Sequence, residues 1–179
     1  LSMNWHQAVG REHRAAREAA VLFDQTSFGK FMLKGPDAEA ALNWIAGNDV
    51  RTAVGSLIYT QMLNDRGGIE CDLTAARVGE DEYYIVTGTG FVTHDFHWIA
   101  ANIPAGMNAQ LFDITSSNAV LSLFGPRARD ILAAVTRDDI SNQAFPFGTW
   151  RRVGFAGNAV MALRVSYVGE LGWELHLPV

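Results

Sequence analysis

The chain has 179 residues, 49% of them hydrophobic and 18% charged, which is the composition of an ordinary soluble globular domain. Its net charge of −5 excludes the basic footprint of a nucleic-acid binder, and no apolar run approaches the ~18 residues of a membrane span. The single cysteine, Cys71, excludes an internal disulfide framework and points to a reducing compartment.

Residues 1–10 are polar and aromatic and do not read as a signal peptide. The chain does not begin with methionine and stops just after an expected core strand, so a piece of a longer protein is expected.

Residues 4–20 carry Trp5, Ala8, Val9, Ala15, Ala16, Ala19 and Ala20 mainly at helical spacing, with Asn4 as the expected cap. Phe28 to Lys34 alternates as a strand. Gly35-Pro36-Asp37 then opens a helix of about ten residues, with Pro36 near its first turn and Ala38, Ala41, Leu42 and Ile45 as its core stripe. Gly47 is the expected stop.

Residues 56–78 read as a hairpin. An extended run ends at Asn64, Asp65 to Gly68 is a turn with two glycines free to take positive φ, and a second extended run starts at Ile69. Residues 82–87 form the next strand, and residues 91–103 read as a helix with Phe91, Phe96 and Ile99 partly in phase. Strands are expected at about 108–114 and 118–124. Gly125-Pro126 opens a helix bearing Ile131, Leu132 and Val135. Extended runs follow at about 148–155, 158–167 and 171–177, with Gly157-Asn158 as a turn.

Leu33-Lys34-Gly35-Pro36-Asp37-Ala38 echoes Leu123-Phe124-Gly125-Pro126-Arg127-Ala128. The echo suggests two similar halves, 28–110 and 118–179. The short connections favour antiparallel pairing, so the expected class is α+β, with mostly antiparallel sheets flanked by helices.

Few residue patterns carry chemistry. Gly88-Thr89-Gly90 follows a strand and precedes a helix, but the third glycine of a dinucleotide fingerprint is replaced by Thr93, so it reads as a turn. His94 and His97 are three apart on a helix and lack an evident third ligand, so no metal site is expected. Cys71 is flanked by Glu70 and Asp72, which raise a thiol pKa, and it reads as a small packing residue.

Tyr59, Asp72, Tyr167 and Glu174 remain. Asp72 lies inside an apolar strand, where an acid is either on the wet face or paired. Tyr167 and Glu174 lie across the Gly169–Gly172 turn and are expected at adjacent strand ends. Two tyrosine rings and two carboxylates can hold a flat, nitrogen-rich heterocycle. A carboxylate accepts two N–H bonds from an amidine-like edge, and a second carboxylate can face a developing iminium cation.

Gly67-Gly68-Ile69-Glu70-Cys71-Asp72 resembles the Gly-Gly-Ile-x-Asp-Asp motif of the glycine cleavage T-proteins, the aminomethyltransferases. Tyr167-Val168-Gly169-Glu170-Leu171-Gly172-Trp173-Glu174 resembles their Tyr-Thr-Gly-Glu-x-Gly-x-Glu motif. The first aspartate of the pair is Cys71 here, a departure closer to the folate-binding C-terminal half of dimethylglycine and sarcosine dehydrogenases and oxidases. Asn4-Trp5, Glu12 to Glu18 and Phe23 to Phe31 are similar to the entry of that half.

The resemblance implies that residues 1–179 are the N-terminal part of an aminomethyltransferase-like folate-binding module. It implies that Glu174 and Tyr167 hold the pterin of tetrahydrofolate. Asp72 would sit by the reactive nitrogens as the catalytic group, and Tyr59 would line the same channel. The implied reaction captures a one-carbon iminium as 5,10-methylenetetrahydrofolate.

The implied partners are folate, a methylated amine or glycine derivative, and a covalently linked upstream flavin domain that holds FAD outside this chain. Neither nucleic acid nor membrane is implied. The implied location is bacterial cytoplasm or mitochondrial matrix. Three related readings stay open: a stand-alone aminomethyltransferase, a non-catalytic folate-binding or iron–sulfur-assembly accessory protein, and a folate-dependent demethylase of a sulfonium compound.

Overall fold

The computed structural model describes residues 3–155, 157–167 and 169–179. In chain order, the elements of the first half are α1 (His6–Glu18), β1 (Val21–Asp24), β2 (Gly29–Lys34), α2 (Ala38–Ile45), β3 (Leu57–Leu63), β4 (Ile69–Gly79) and β5 (Glu82–Thr87). They are followed by α3 (Val92–Asn102), β6 (Gln110–Asp113), β7 (Asn118–Phe124), α4 (Ala128–Ala133), β8 (Trp150–Phe155), β9 (Asn158–Leu163) and β10 (Gly172–Pro178). The class is α+β, as expected. None of the described helices is long and apolar enough to cross a membrane.

The chain divides into two compact units, one of Ser27–Asn118 with Val179, the other of Leu1–Thr26 with Ala119–Pro178. The Ser27–Asn118 unit holds a five-stranded sheet in the order β3-β4-β5-β2-β6. Its recorded pairings are antiparallel. Alternate residues of these strands face opposite ways. One face therefore gathers Phe31, Leu33, Ile58, Met62, Leu73, Ala75 and Ile85, and α2 and α3 close it with Leu42, Ile45 and Ile99. The α2 stripe of Ala38, Ala41, Leu42 and Ile45 is buried as its spacing predicts. The buried Tyr83 hydroxyl donates to the Val50 carbonyl at 3.1 Å, so its polar end costs little.

The other unit holds a five-stranded sheet in the order β1-β7-β10-β9-β8. Leu123, Leu132, Phe145, Val153, Val160, Trp173 and Leu175 form its apolar cluster. The Trp173 ring is flanked by two guanidinium groups, Arg129 at 5.3 Å and Arg164 at 5.7 Å from the ring centroid. Such cation–ring contacts offset part of the cost of burying Arg164.

Several elements differ from the sequence expectation. Helix α1 begins at His6, with Trp5 rather than Asn4 at the cap position and no side-chain cap bond. None of its residues is buried; Ala8, Ala15 and Ala16 of its apolar stripe are half-buried. Strand β1 was not expected. Its Leu22 and Phe23 are both exposed, so the residues show no alternation. Pairing with β7, Val21 opposite Phe124 through Asp24 opposite Leu121, makes it a strand. Phe91 lies in a 3-10 turn before α3 and is exposed, and Ile131 and Val135 around α4 are exposed too.

Strand β9 ends at Leu163 rather than residue 167. Arg164 follows it. Its buried guanidinium donates to the Phe145 carbonyl and to Asn142 Oδ1, while its backbone N–H donates to the Thr149 carbonyl at 2.8 Å.

Candidate functional site

The hairpin β3–β4 is built by its turn. The Asn64 N–H donates to the Gly68 carbonyl and the Gly67 N–H donates to the Asn64 carbonyl, both at 2.9 Å. Asn64 Oδ1 accepts from the N–H groups of Arg66 at 3.0 Å and Gly68 at 2.9 Å. Gly67 takes the left-handed region at φ 77°. Gly68, equally free to do so, does not. It is small for another reason, since a Cβ there would meet Asn64 Nδ2 at 2.8 Å.

Leu63 pairs with Ile69 but Met62 with Cys71, and this one-residue shift past the turn sets Tyr59 opposite Thr74 and Gln61 opposite Asp72. Directly opposed residues share a face, so Tyr59, Gln61, Asp72 and Thr74 line one side. Ile58, Met62, Cys71 and Leu73 turn to the core on the other.

Tyr59 and Asp72 therefore share a face, as expected. That face is open, because Tyr59 is 60% exposed and Asp72 is exposed as well. An enclosing cavity around them is not met within this unit. Asp72 Oδ1 accepts from the neutral Gln61 amide at 3.2 Å. A shallow depression of about 440 Å³ lies instead at the far end of β4, lined by Glu39, Thr52, Arg77 and Glu80 among others. Its guanidinium is already committed there: Arg77 pairs with Glu39 and donates to the carbonyls of Thr52 at 2.7 Å and Glu80 at 2.9 Å.

In the other unit, Glu174 lies on β10 and pairs with Leu163 of β9. Trp173 and Leu175 on either side enter the apolar cluster, so Glu174 faces away from it. Its side chain is only 15% exposed, and its Oε2 lies 3.6 Å from Nε2 of the buried His176. Tyr167 is 88% exposed in the loop between β9 and β10. The expected placement of Tyr167 and Glu174 at adjacent strand ends does not hold, because β9 stops at Leu163. Val168 of the same motif lies outside the described residues.

Asp95 was missed in the sequence. It is 1% exposed in the first turn of α3, where the helix dipole favours an acid. The Thr87 hydroxyl donates to its Oδ2 at 2.5 Å, and His94 Nδ1 lies 3.0 Å from its Oδ1. His94 is thus held by Asp95 and Glu70 rather than paired with His97, which is exposed with its ring against Phe96. The contact with Asp95 raises the His94 pKa above its ordinary value. Burial, followed by the charge of Asp95, pushes the Cys71 thiol far up, in line with its reading as a packing residue. An acid next to a histidine at a helix start was the available signal for this group.

The family model of the GCVT N-terminal domain matches residues 2–179. The chain belongs to this family. Over 97% of its length it is 41% identical to sarcosine dehydrogenase, mitochondrial, of Mus musculus and 34% identical to dimethylglycine dehydrogenase, mitochondrial, of Rattus norvegicus. It spans only 20% of the length of each.

Among solved structures, it is similar to the glycine cleavage system aminomethyltransferase T from Bartonella henselae, with a TM-score of 0.80 and 27% identity over 94% of this chain and 44% of that one. The chain is an aminomethyltransferase-like domain related to the sarcosine and dimethylglycine dehydrogenases. Its family is one of transferases in one-carbon metabolism.

Proposed function

We propose that the chain is a tetrahydrofolate-binding domain that captures a one-carbon iminium as 5,10-methylenetetrahydrofolate. It would do so within a flavin-dependent dimethylglycine or sarcosine dehydrogenase whose FAD is held outside this chain. One observation carries the reading: Asp72 presents a carboxylate beside Tyr59 on the open face of the hairpin. Among the described residues Asp72 has no ion-pair partner, and its recorded hydrogen bond comes from a neutral amide. Its negative charge is available to a cationic ligand.

Tetrahydrofolate supplies the nucleophilic nitrogens when bound. The protein's part is electrostatic. The Asp72 carboxylate would stand beside the nitrogen that attacks the iminium and becomes cationic, stabilise that charge and accept the released proton. Tyr59 walls the same ligand. Glu174, largely shielded from water, accepts N–H bonds from the pterin edge, and the exposed Tyr167 ring covers it. Each of these groups offers the carboxylate or the ring that a flat, nitrogen-rich ligand would use. In this reading the protein works in bacterial cytoplasm or, in a eukaryote, in the mitochondrial matrix.

The test is Asp72→Asn in the full-length enzyme, with flavin reduction, formaldehyde and methylenetetrahydrofolate measured side by side. The charge matters most in the transition state, so turnover falls and binding does not. Methylenetetrahydrofolate formation is expected to drop by a factor on the order of 10²–10³. Folate affinity should change by less than about tenfold. Amine oxidation should continue with formaldehyde released. A normal methylenetetrahydrofolate yield would return Asp72 to a solvated strand acid. A stand-alone aminomethyltransferase would show no flavin reduction at all.

A further inference from the structure

Strand β4 carries a second group of chemistry-bearing residues on the face opposite Asp72. Cys71 Sγ, a ring nitrogen of His94 and a carboxylate oxygen of Asp95 all lie within 4.8 Å of one another. A tetrahedral ion with bonds of about 2.0–2.3 Å sets its ligand atoms about 3.3–3.6 Å apart. His94 Nδ1 and Asp95 Oδ1 are already 3.0 Å apart. The remaining separations, up to 4.8 Å, would close to that spacing on binding.

The backbone is shaped for the group. Met62 pairs with Cys71 and Leu63 with Ile69, so Glu70 is the extra residue of a bulge in β4. A bulge residue escapes the strand's alternation. Glu70 thereby reaches the Cys71 side of the strand, where its Oε2 lies 3.4 Å from His94 Nε2. Without the bulge it would turn away from Cys71.

Each ligand is also oriented from behind. With Nδ1 of His94 facing Asp95, Nε2 is left for Glu70, which is the carboxylate–histidine–metal arrangement common to metal centres. Glu70 is in turn fixed by Asn64 Nδ2, which donates to its Oε1 at 2.7 Å. Asp95 Oδ2 is occupied by Thr87 at 2.5 Å, which leaves Oδ1 for an ion.

We propose that Cys71, His94 and Asp95 form a binding site for one divalent transition ion of the Zn²⁺ class, with Glu70 as the residue that positions His94. The sulfur–nitrogen–oxygen donor set favours Zn²⁺ or Co²⁺ over the hard cations Mg²⁺ and Ca²⁺. A fourth position opens to water, because the His94 side chain is half exposed. The ion would clip the β4 bulge, the end of β5 and the first turn of α3 together. A divalent cation also reverses the local electrostatics, since a coordinating thiol is deprotonated outright.

The test uses the full-length protein, stripped with a chelator and titrated with Co²⁺. The expected result is one equivalent bound, with thiolate-to-cobalt charge-transfer absorption in the near ultraviolet and intense visible bands of a low-coordinate site. Zn²⁺ should bleach both. Cys71→Ser should abolish the charge-transfer band. His94→Ala should weaken Co²⁺ binding by roughly a hundredfold or more, and Glu70→Gln by about 10–100-fold with the charge-transfer band retained. His97→Ala should change nothing.

Circular dichroism checks the fold of each variant, and the half-exposed His94 gives a readout even where Cys71→Ser does not fold. Absence of the charge-transfer band in the wild type at millimolar Co²⁺ overturns the site. So does a spectrum that persists unchanged in His94→Ala.

Discussion

Asp72 and Glu174 occupy similar places in the two units and opposite environments. Each lies on a strand whose neighbouring residues enter an apolar cluster: Cys71 and Leu73 beside Asp72, Trp173 and Leu175 beside Glu174. Each carboxylate therefore points away from its own core. Asp72 is exposed and meets an amide, whereas the Glu174 side chain is 15% exposed and lies 3.6 Å from a histidine nitrogen. Strand alternation places both acids, and burial then separates their uses. A shielded carboxylate makes a stronger hydrogen bond to a bound ligand. An open one has little hold until a ligand excludes water from it.

The largest expected effect tests the anchors of the two strands. Trp173→Ala should cost about 3–5 kcal/mol and Leu73→Ala about 2–5 kcal/mol in urea unfolding, because both side chains are fully packed. A loss under ~1 kcal/mol for either would mean that its strand is not held by that residue, and the matched positions of the two acids would lose their cause.

The second variant probes the shielded acid. Glu174→Gln should weaken tetrahydrofolate by about 1.5–3 kcal/mol, the scale of a charge-assisted hydrogen bond. Calorimetric titration of the complete folate module reads it directly, and unchanged affinity would remove Glu174 from the site.

Glycines next to the two acids sharpen the contrast further. A Cβ on Gly172 would strike the Phe124 ring and come within 2.5 Å of the Leu123 carbonyl. Gly172→Ala should therefore destabilise by about 1–3 kcal/mol through overpacking. At Gly67 a Cβ meets nothing within 4 Å, and only the φ of 77° resists it. Gly67→Ala should cost about 1–2 kcal/mol. Thermal melts of the two variants rank crowding against backbone strain. A loss under ~1 kcal/mol in Gly172→Ala would contradict the steric account of Gly172.

The smallest effect is expected at the exposed pair Lys34–Glu82, 2.9 Å apart where the paired strands β2 and β5 meet at one end of the Ser27–Asn118 sheet. A double-mutant cycle there should return less than about 1 kcal/mol, falling with added salt. A larger coupling would make this surface pair a structural element rather than a solvated contact.

The two Gly-Pro segments also match locally. Gly35 and Gly125 have φ of 134° and 122°, and each accepts an N–H bond from the residue three positions on, Ala38 at 2.9 Å and Ala128 at 3.0 Å. This likeness supports the proposal that 28–110 and 118–179 are related halves. Their helices differ in yield, since α2 buries Ala38, Ala41, Leu42 and Ile45 and α4 only Ala128 and Leu132.

Residue order alone determined the features that depend on neighbours a few positions apart. The β3–β4 hairpin is one, because alternation and the Asn64-to-Gly68 turn are local, although it takes the bulge at Glu70 to bring Asp72 onto the Tyr59 face. The α2 stripe is another, and so are the two motifs that mark the family. Tertiary structure decided what depends on distant partners. β1 exists through its ladder with β7, and α1 keeps its stripe with no residue buried.

β9 ends at Leu163, where Arg164 reaches Phe145 and Asn142 with its side chain, and Tyr167 is left in a loop. The group of Glu70, Cys71, His94 and Asp95 needs both a one-residue bulge and the docking of α3 against β4. Neither is written in any short window of sequence, because a bulge is a shift in pairing and a docking is a meeting of surfaces. Side-chain period and turn chemistry act over a few residues, whereas burial and register are settled only when the strands meet.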